Sequence, residues 1–250
     1  MGFKNYLWDE AWELNVSRGK VRGTYHIIKF GENLDVDGSM ETIWDGGGLY
    51  TYLTNAATVT VTSTDNDDAA SGTGARTVTV EGLDANYNQV SETLTVGGSA
   101  GSVEFLRVFR AFVETSGSSG SNEGIISITQ GATTLAQIRS VGSPFSTGLG
   151  QTFMSLYTVP AGYTGYIYQL NISTAKSDGN IFLVKRGPND NGSWRSQDIV
   201  HANQNSIERN YKFPIKIDEK TDIEVRAVST TNNMKCAATL CILLVQNVTE

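Results

Sequence analysis

Val78–Gly97, VTVEGLDANYNQVSETLTVG, alternates apolar and polar residues on both sides of a turn. Val78, Val80 and Leu83 come first, Asp84-Ala85-Asn86 make the turn, and Val90, Thr93, Leu94 and Val96 follow. Period-two runs bounded by turn residues are the signature of half-buried strands. The segment just before it, VTVTSTDNDDAASGTGARTVTV (Val59–Val80), carries strand-like runs broken by Gly, Asn and Asp. No reactive group in this stretch stands at a spacing that chemistry needs. It presents shape and edges.

Working outward, the same pattern extends over most of the 250 residues. Apolar residues make up 39% of the chain, and Gly, Ser, Thr and Asn are abundant. β-Branched TVT and TLTV segments pack well on a pleated surface, so the composition suits a sheet protein with thin cores and many turns. The expected fold is all-β: two β-sandwich domains of jelly-roll or Greek-key type with an extended N-terminal arm. The arm covers residues 1–45 and is rich in aromatics, Phe3, Tyr6, Trp8, Trp12, Tyr25, Phe30 and Trp44, so it either packs on another surface or folds back on its own domain. Tyr6–Leu14 reads as a short helix, and GTYHIIKFGENLDVDG beyond Arg18 reads as extended. Gly46-Gly47-Gly48 makes a hinge into the first sandwich, residues 46–145.

Seven strands are expected there, near Tyr50–Leu53, Val59–Ser63, Arg76–Leu83, Gln89–Val96, Glu104–Glu114, Gly124–Gln130 and Leu135–Arg139. A linker, GSPFSTGLG (Gly142–Gly150), leads into the second sandwich, residues 146–250. Its strands are expected near Phe153–Val159, Thr164–Thr174, Gly179–Lys185, Ile199–His201, Ser206–Phe213, Asp222–Ser229 and Ala238–Val245. The last, ATLCILLV, reads as a central strand covered on both faces.

Charge and cysteine content narrow the function. A net charge of −7 opposes phosphate tracking, which needs clustered Lys and Arg. The short basic group Arg18, Lys20 and Arg22 reads as a solvated strand edge or a local contact with an acidic partner. No nucleic-acid partner is expected. No run approaches the ~20 apolar residues of a membrane span, and the N-terminus lacks a secretory h-region. Cys236 and Cys241 point to opposite faces if one strand holds both. At about 3.3 Å per residue they stand about 16 Å apart, too far for a disulfide. They read as buried thiols made in a reducing cytoplasm.

Candidate chemistry is sparse. His26 and His201 are the two histidines, and a Ser-His-Asp site needs one of them in contact with a nucleophile and a carboxylate. No G-x-S-x-G elbow is present, and both histidines read as strand residues. Asp65-Asn66-Asp67-Asp68 offers oxygen ligands of the kind Ca²⁺ takes, but lacks the twelve-residue loop that ends in a bidentate Glu. It reads as an acidic, solvated loop, as does the Asp35/Asp37 pair. Gly72-Thr73-Gly74-Ala75-Arg76 lacks the Lys-Ser/Thr ending of a phosphate loop and reads as a turn into a strand. Tyr163, Tyr166, Tyr168 and Trp194 offer aromatic faces for a sugar, against a bland reading as sheet packing. Trp194, in the loop PNDNGSWRS, is the best surface anchor among them. No catalytic residue, cofactor or metal ligand is assigned.

The segments KFGENLDVDGSMETIWDG (29–46), DGGGLYTYL (45–53), SGTGARTVTVEGLDANYNQVSETLTV (71–96), MSLYTVPAGYTGYI (154–167) and EKTDIEVRAVSTTNN (219–233) resemble a family of virion structural proteins encoded by tailed bacteriophages, many of them marine. The likeness covers most of the chain in the same order. It implies a non-enzymatic particle component, and it transfers no catalytic residue. The resulting expectation is a capsid decoration or cement protein, resident in the virion and made in the host cytoplasm. Its partners would be copies of itself, with a trimer matching the local three-fold positions of a shell, and the major capsid protein or other virion proteins. Trp8, Trp12, Tyr25, Phe30, Trp44 and Trp194 are the expected assembly contacts. The alternative is a tail or fibre-base component that contacts a host glycan or another tail protein. A sandwich-scaffold enzyme is the third option.

Overall fold

The computed structural model describes residues 11–140, 149–176, 178–201 and 204–247. The chain is all-β, as the alternation predicts. One short helix, α1 (Trp12–Ser17), is followed by β1 (Thr24–Val36) and β2 (Glu41–Thr42). Six strands then form one unit: β3 (Thr60–Ser63), β4 (Ala75–Leu83), β5 (Gln89–Thr95), β6 (Arg107–Ser116), β7 (Ile126–Gln130) and β8 (Thr133–Ile138). The rest are β9 (Leu156–Thr158), β10 (Tyr163–Thr174), β11 (Gly179–Arg186), β12 (Arg195–His201), β13 (Ser206–Ile217), β14 (Asp222–Ser229) and β15 (Met234–Gln246).

The opening stretch forms the expected hairpin. β4 and β5 pair antiparallel from Thr77↔Thr95 to Leu83↔Gln89. At the tip, Asp84 Oδ1 accepts from the amides of Asn86 and Asn88 at 2.8 and 2.9 Å. This Asx arrangement is why Asp starts the turn. β6 joins on the other side of β4, and β3, β7 and β8 form the facing sheet. Val61, Val78, Val80, Leu94, Phe105, Val108, Ile126, Ile128 and Leu135 fill the space between. Tyr50–Leu53, read as a strand, is irregular, because Tyr50 and Tyr52 turn into the boundary between the sandwiches.

The second sandwich packs the sheet β1-β15-β10-β13 against β12-β11-β14-β2, with β9 also on β14. Its core includes Ile167, Leu170, Ile172, Ile181, Leu183, Val225, Leu240 and Ile242. β15 is central, as ATLCILLV suggests. Cys236 lies in the core, and Cys241, on the opposite face, donates to Gln169 Oε1 at 3.4 Å; both thiols are free and buried.

The arm is corrected by the structure. Thr24–Val36 is not a free segment: it is an edge strand of the second sandwich, paired with β15 from Thr24↔Val245 to Val36↔Met234. Period-two patterning announces a strand but not a partner about two hundred positions away. β2 also belongs to this sandwich. It lies against β14 (Arg226↔Thr42), next to β9 on the same edge (Glu224↔Leu156). The chain thus leaves the second sandwich and re-enters it at adjacent points, joined by Ser155 N–H donating to Ile43 O at 2.9 Å. The first sandwich is an insertion between them. Gly31 permits the crossing: a Cβ there would sit 2.2 Å from Ser155 N and 2.3 Å from Ile43 O.

Of the expected assembly aromatics, Trp44 is withdrawn. It is 4% exposed and packs edge-on against Tyr50 in the first core, at 5.1 Å. Trp8 and most of the Gly142–Gly150 linker lie outside the described residues.

Candidate functional site

The densest polar chemistry lies along the seam between the two sandwiches. Arg107 enters from β6. Its Nε and Nη2 donate to Asp222 Oδ1 and Oδ2 on β14, at 2.8 and 3.2 Å. Its Nη1 donates to the carbonyls of Leu53 and Leu106 at 3.0 and 2.9 Å. Asp222 also accepts from Arg186 Nη2 at 2.8 Å and Thr158 Oγ1 at 2.7 Å. Two residues along β14, Glu224 takes a two-point contact from Arg226 at 2.9 and 3.0 Å. Thr42 Oγ1 donates to Glu224 Oε2 at 2.7 Å. Every acid in this group has two or more donors, which is what buried carboxylates need.

Aromatic faces stack on these guanidinium planes. Tyr52 lies under Arg107 and Arg186, at 4.9 and 4.8 Å. Trp194 lies under Arg186 and Arg226, at 4.7 and 4.0 Å. Trp194, the expected surface anchor, is therefore half-buried and committed to an intramolecular stack. A second ionic link joins Arg139, at the end of β8, to Glu32 on β1 and to the buried Asp45, both at 2.6 Å. Burial pushes the Asp45 carboxyl up to about 7, against the pull of Arg139.

Beside this seam a cleft of about 580 Å³ opens between β1 and β9 of the second sandwich and β4, β5 and β6 of the first. Its walls include Lys29, Arg110, Glu81, Gln89, Gln151 and Tyr157. Lys29 is buried; its ammonium donates to Phe109 O and lies 5.4 Å from the centre of the Phe109 ring. Burial, with Arg110 adding repulsion, depresses its pKa to about 7. Among the described residues no carboxylate lies within ion-pair distance of it; Glu81 instead pairs with Arg110 at 3.3 Å. The Tyr157 hydroxyl is buried, and burial raises its pKa.

The other candidates disperse. His26 Nε2 and the Tyr168 hydroxyl share a 2.6 Å hydrogen bond on the outer face of β1 and β10. His201 Nδ1 meets Asn180 Oδ1 at 2.6 Å, in the other sheet. Among the described residues neither imidazole has a carboxylate partner, so the triad geometry is absent there. Tyr166 and Tyr168 are half-buried on that outer face, and Tyr163 meets Tyr25 edge-on at 5.9 Å. The acidic loop is corrected: Asp68 is not solvated but buried. It accepts from Ser63 Oγ and from the amides of Ala75, Glu123 and Gly124. Among the described residues no group of three or more His, Cys, Asp or Glu is placed to hold a metal ion. No helix there is long and apolar enough to cross a membrane.

Sequence reasoning passed over Lys29, Arg107, Arg186 and Asp222. For Lys29 the signal available was a charged residue in phase with the apolar Ile27 of its strand; Asp222 shares its strand face with Glu224 and Arg226, and only a charged face covered by a second sandwich sets it apart. Such a residue has to find a buried partner or line a cavity.

No family model and no curated protein matches the chain. Among solved structures it is similar to the T13 IBDV viral particle, at 10% identity and a TM-score of 0.25, covering 89% of this chain and 68% of that one. It is also similar to the VP2 subviral particle of infectious bursal disease virus, at 10% identity and a TM-score of 0.23, covering 88% and 72%. Superposition at this level lies below a shared fold.

Proposed function

We propose that the chain is a non-enzymatic structural protein of a tailed-phage virion, which decorates or cements the capsid and associates with copies of itself. The segment resemblance supports the particle role, and one structural observation supports association. The sheet β1-β15-β10-β13 carries large apolar side chains at both free ends. At one end Tyr25, Ile28, Phe30 and Leu34 are exposed on β1; at the other Phe213 is 83% exposed on β13. Phe213 sits on a bulge. Ile167 pairs with Ile215 and Gln169 with Asn210, so Tyr168 alone stands opposite residues 211–214. Bulges and proline blunt an edge against strand pairing, and Pro214 adds to that here. The bulge offers Phe213 as a knob instead. Two unlike apolar ends on one rigid body favour head-to-tail contact, which closes into a ring when the rotation permits.

The test combines Phe213→Ser with sedimentation and particle imaging. The wild-type chain is expected to be oligomeric and spread over the whole shell. Phe213→Ser is expected to be a monomer with unchanged melting temperature, because Phe213 supports no core. A wild-type monomer, or a chain found at the tail alone, would overturn the decoration reading.

A further inference from the structure

We infer that the cleft between the sandwiches is a binding site for an acidic sugar, held by its carboxylate at Lys29 and by its hydroxyls at the surrounding amides and alcohols. This goes beyond the decoration role; the cleft shares Ile28 and Phe30 on β1 with the proposed association surface. Three observations carry it. The first is size: about 580 Å³ lies within the range of small-ligand sites.

The second is charge. Lys29 is a buried cation whose polar partner among the described residues is the neutral carbonyl of Phe109. Arg110 and Glu81 cancel one another across the mouth. Among the described residues the walls therefore carry one uncompensated positive charge when Lys29 is protonated, which a single carboxylate matches and a phosphate dianion exceeds. A buried charge without a counter-ion is costly to keep, and a bound carboxylate would supply the missing partner.

The third is the lining. Gln89, Ser91, Gln151 and Thr152 bring amide and hydroxyl groups from both sandwiches, and the Phe30 side chain adds an aromatic surface at the rim. Amides and hydroxyls suit a polyol, and an aromatic face covers its C–H side. A bare fatty or aryl carboxylate would leave those groups unmatched.

Among the described residues the other titratable groups lining the cleft are His26, on the opposite face of β1 from Lys29, Glu81 on β4, Arg110 on β6 and Tyr157 on β9. His26 is shifted down by burial and is neutral in the upper half of the range tested. Binding that needs the Lys29 ammonium weakens as pH rises through its unliganded value of about 7. It should fall about tenfold between pH 6 and pH 8.

The experiment is calorimetric titration of the full chain with glucuronate, glucose and acetate at pH 6 and pH 8. Glucuronate is expected to saturate one site, to bind at least tenfold tighter than either glucose or acetate at pH 6, and to weaken about tenfold at pH 8. Lys29→Met is expected to abolish the advantage over glucose, while His26→Gln keeps both the affinity and its pH dependence. Because a Lys29 variant can perturb packing, a second measurement uses the wild type: glucuronate, and not glucose, should protect Lys29 from reductive methylation read by mass spectrometry. Glucose or acetate binding as tightly as glucuronate, no saturable binding, or Lys29 methylated equally with and without glucuronate would each overturn the proposal.

Discussion

Arg107 and Asp222 face each other across the seam with side chains 9% and 3% exposed, joined by two hydrogen bonds of 2.8 and 3.2 Å. The pair ties the inserted sandwich to the strand beside which it leaves and re-enters. Removing Asp222 strands two guanidiniums, Arg107 and Arg186. Asp222→Ala is therefore expected to cost about 3–5 kcal/mol, the range for breaking a buried ion pair. Arg107→Met leaves Asp222 with Arg186 and Thr158 and is expected to cost less. Urea unfolding of both single variants and the double variant measures this; additive losses would mean that the two residues are not coupled.

Lys29 makes stability depend on pH in a definite direction. Its ordinary value of 10.5 falls to about 7 in the fold, so between these values the unfolded chain binds more protons than the folded one. Stability contributed at this residue then rises with pH, by about 1.4 kcal/mol per unit. Lys29→Met, which removes the buried charge, is expected to be more stable than wild type by roughly 2–4 kcal/mol at pH 6. The gap should narrow steadily from pH 7 to pH 10. Parallel stability curves for the two proteins would show that Lys29 is ordinary.

Much of the fold is legible in the sequence, for a local reason. Alternation and turn chemistry are short-range, and Val78–Gly97 contains both strands of its hairpin and the Asp84 turn that joins them. Pairing between distant strands is not local. Nothing in TYHIIKFGENLDV says that its partner is Met234–Gln246, so aromatics on an edge strand look like those of a free arm. The seam was hidden for the same reason. Arg107, Arg186 and Asp222 come from three separate strands and acquire meaning only when the insertion folds back. Trp194 shows the limit of composition: a loop aromatic reads as an outward anchor until two arginine-bearing strands converge on it.

Gly31 tests the crossing point. An added methyl would meet backbone atoms of Ser155 and Ile43 at 2.2 and 2.3 Å, and backbone on both sides cannot yield as a flexible side chain would. Gly31→Ala is expected to cost roughly 3 kcal/mol or more, beyond the ordinary range for overpacking. Gly47 makes the control. It has φ +68° with nothing within 4 Å, so Gly47→Ala carries only the backbone penalty of about 1–2 kcal/mol. Thermal unfolding of the pair should rank Gly31→Ala clearly below Gly47→Ala; the reverse order would place the chain crossing elsewhere.

Asp68 decides what the acidic loop is for. Its Oδ1 accepts from the amides of Ala75 and Glu123 at 2.7 and 2.9 Å. Its Oδ2 accepts from Ser63 Oγ at 2.6 Å and the Gly124 amide at 2.8 Å. Two donors on each oxygen exhaust the roughly four acceptor sites of a carboxylate, so a cation at Asp68 would have to displace a donor already in place. The carboxylate is a staple that joins the loop before β4 to the segment before β7. Asp68→Ala is expected to cost about 2–4 kcal/mol, since buried amides lose a charged acceptor, and to make residues 65–74 sensitive to protease. Adding Ca²⁺ to the wild type should leave its melting temperature unchanged. A rise with Ca²⁺ that disappears in Asp68→Ala would convert the staple into an ion site.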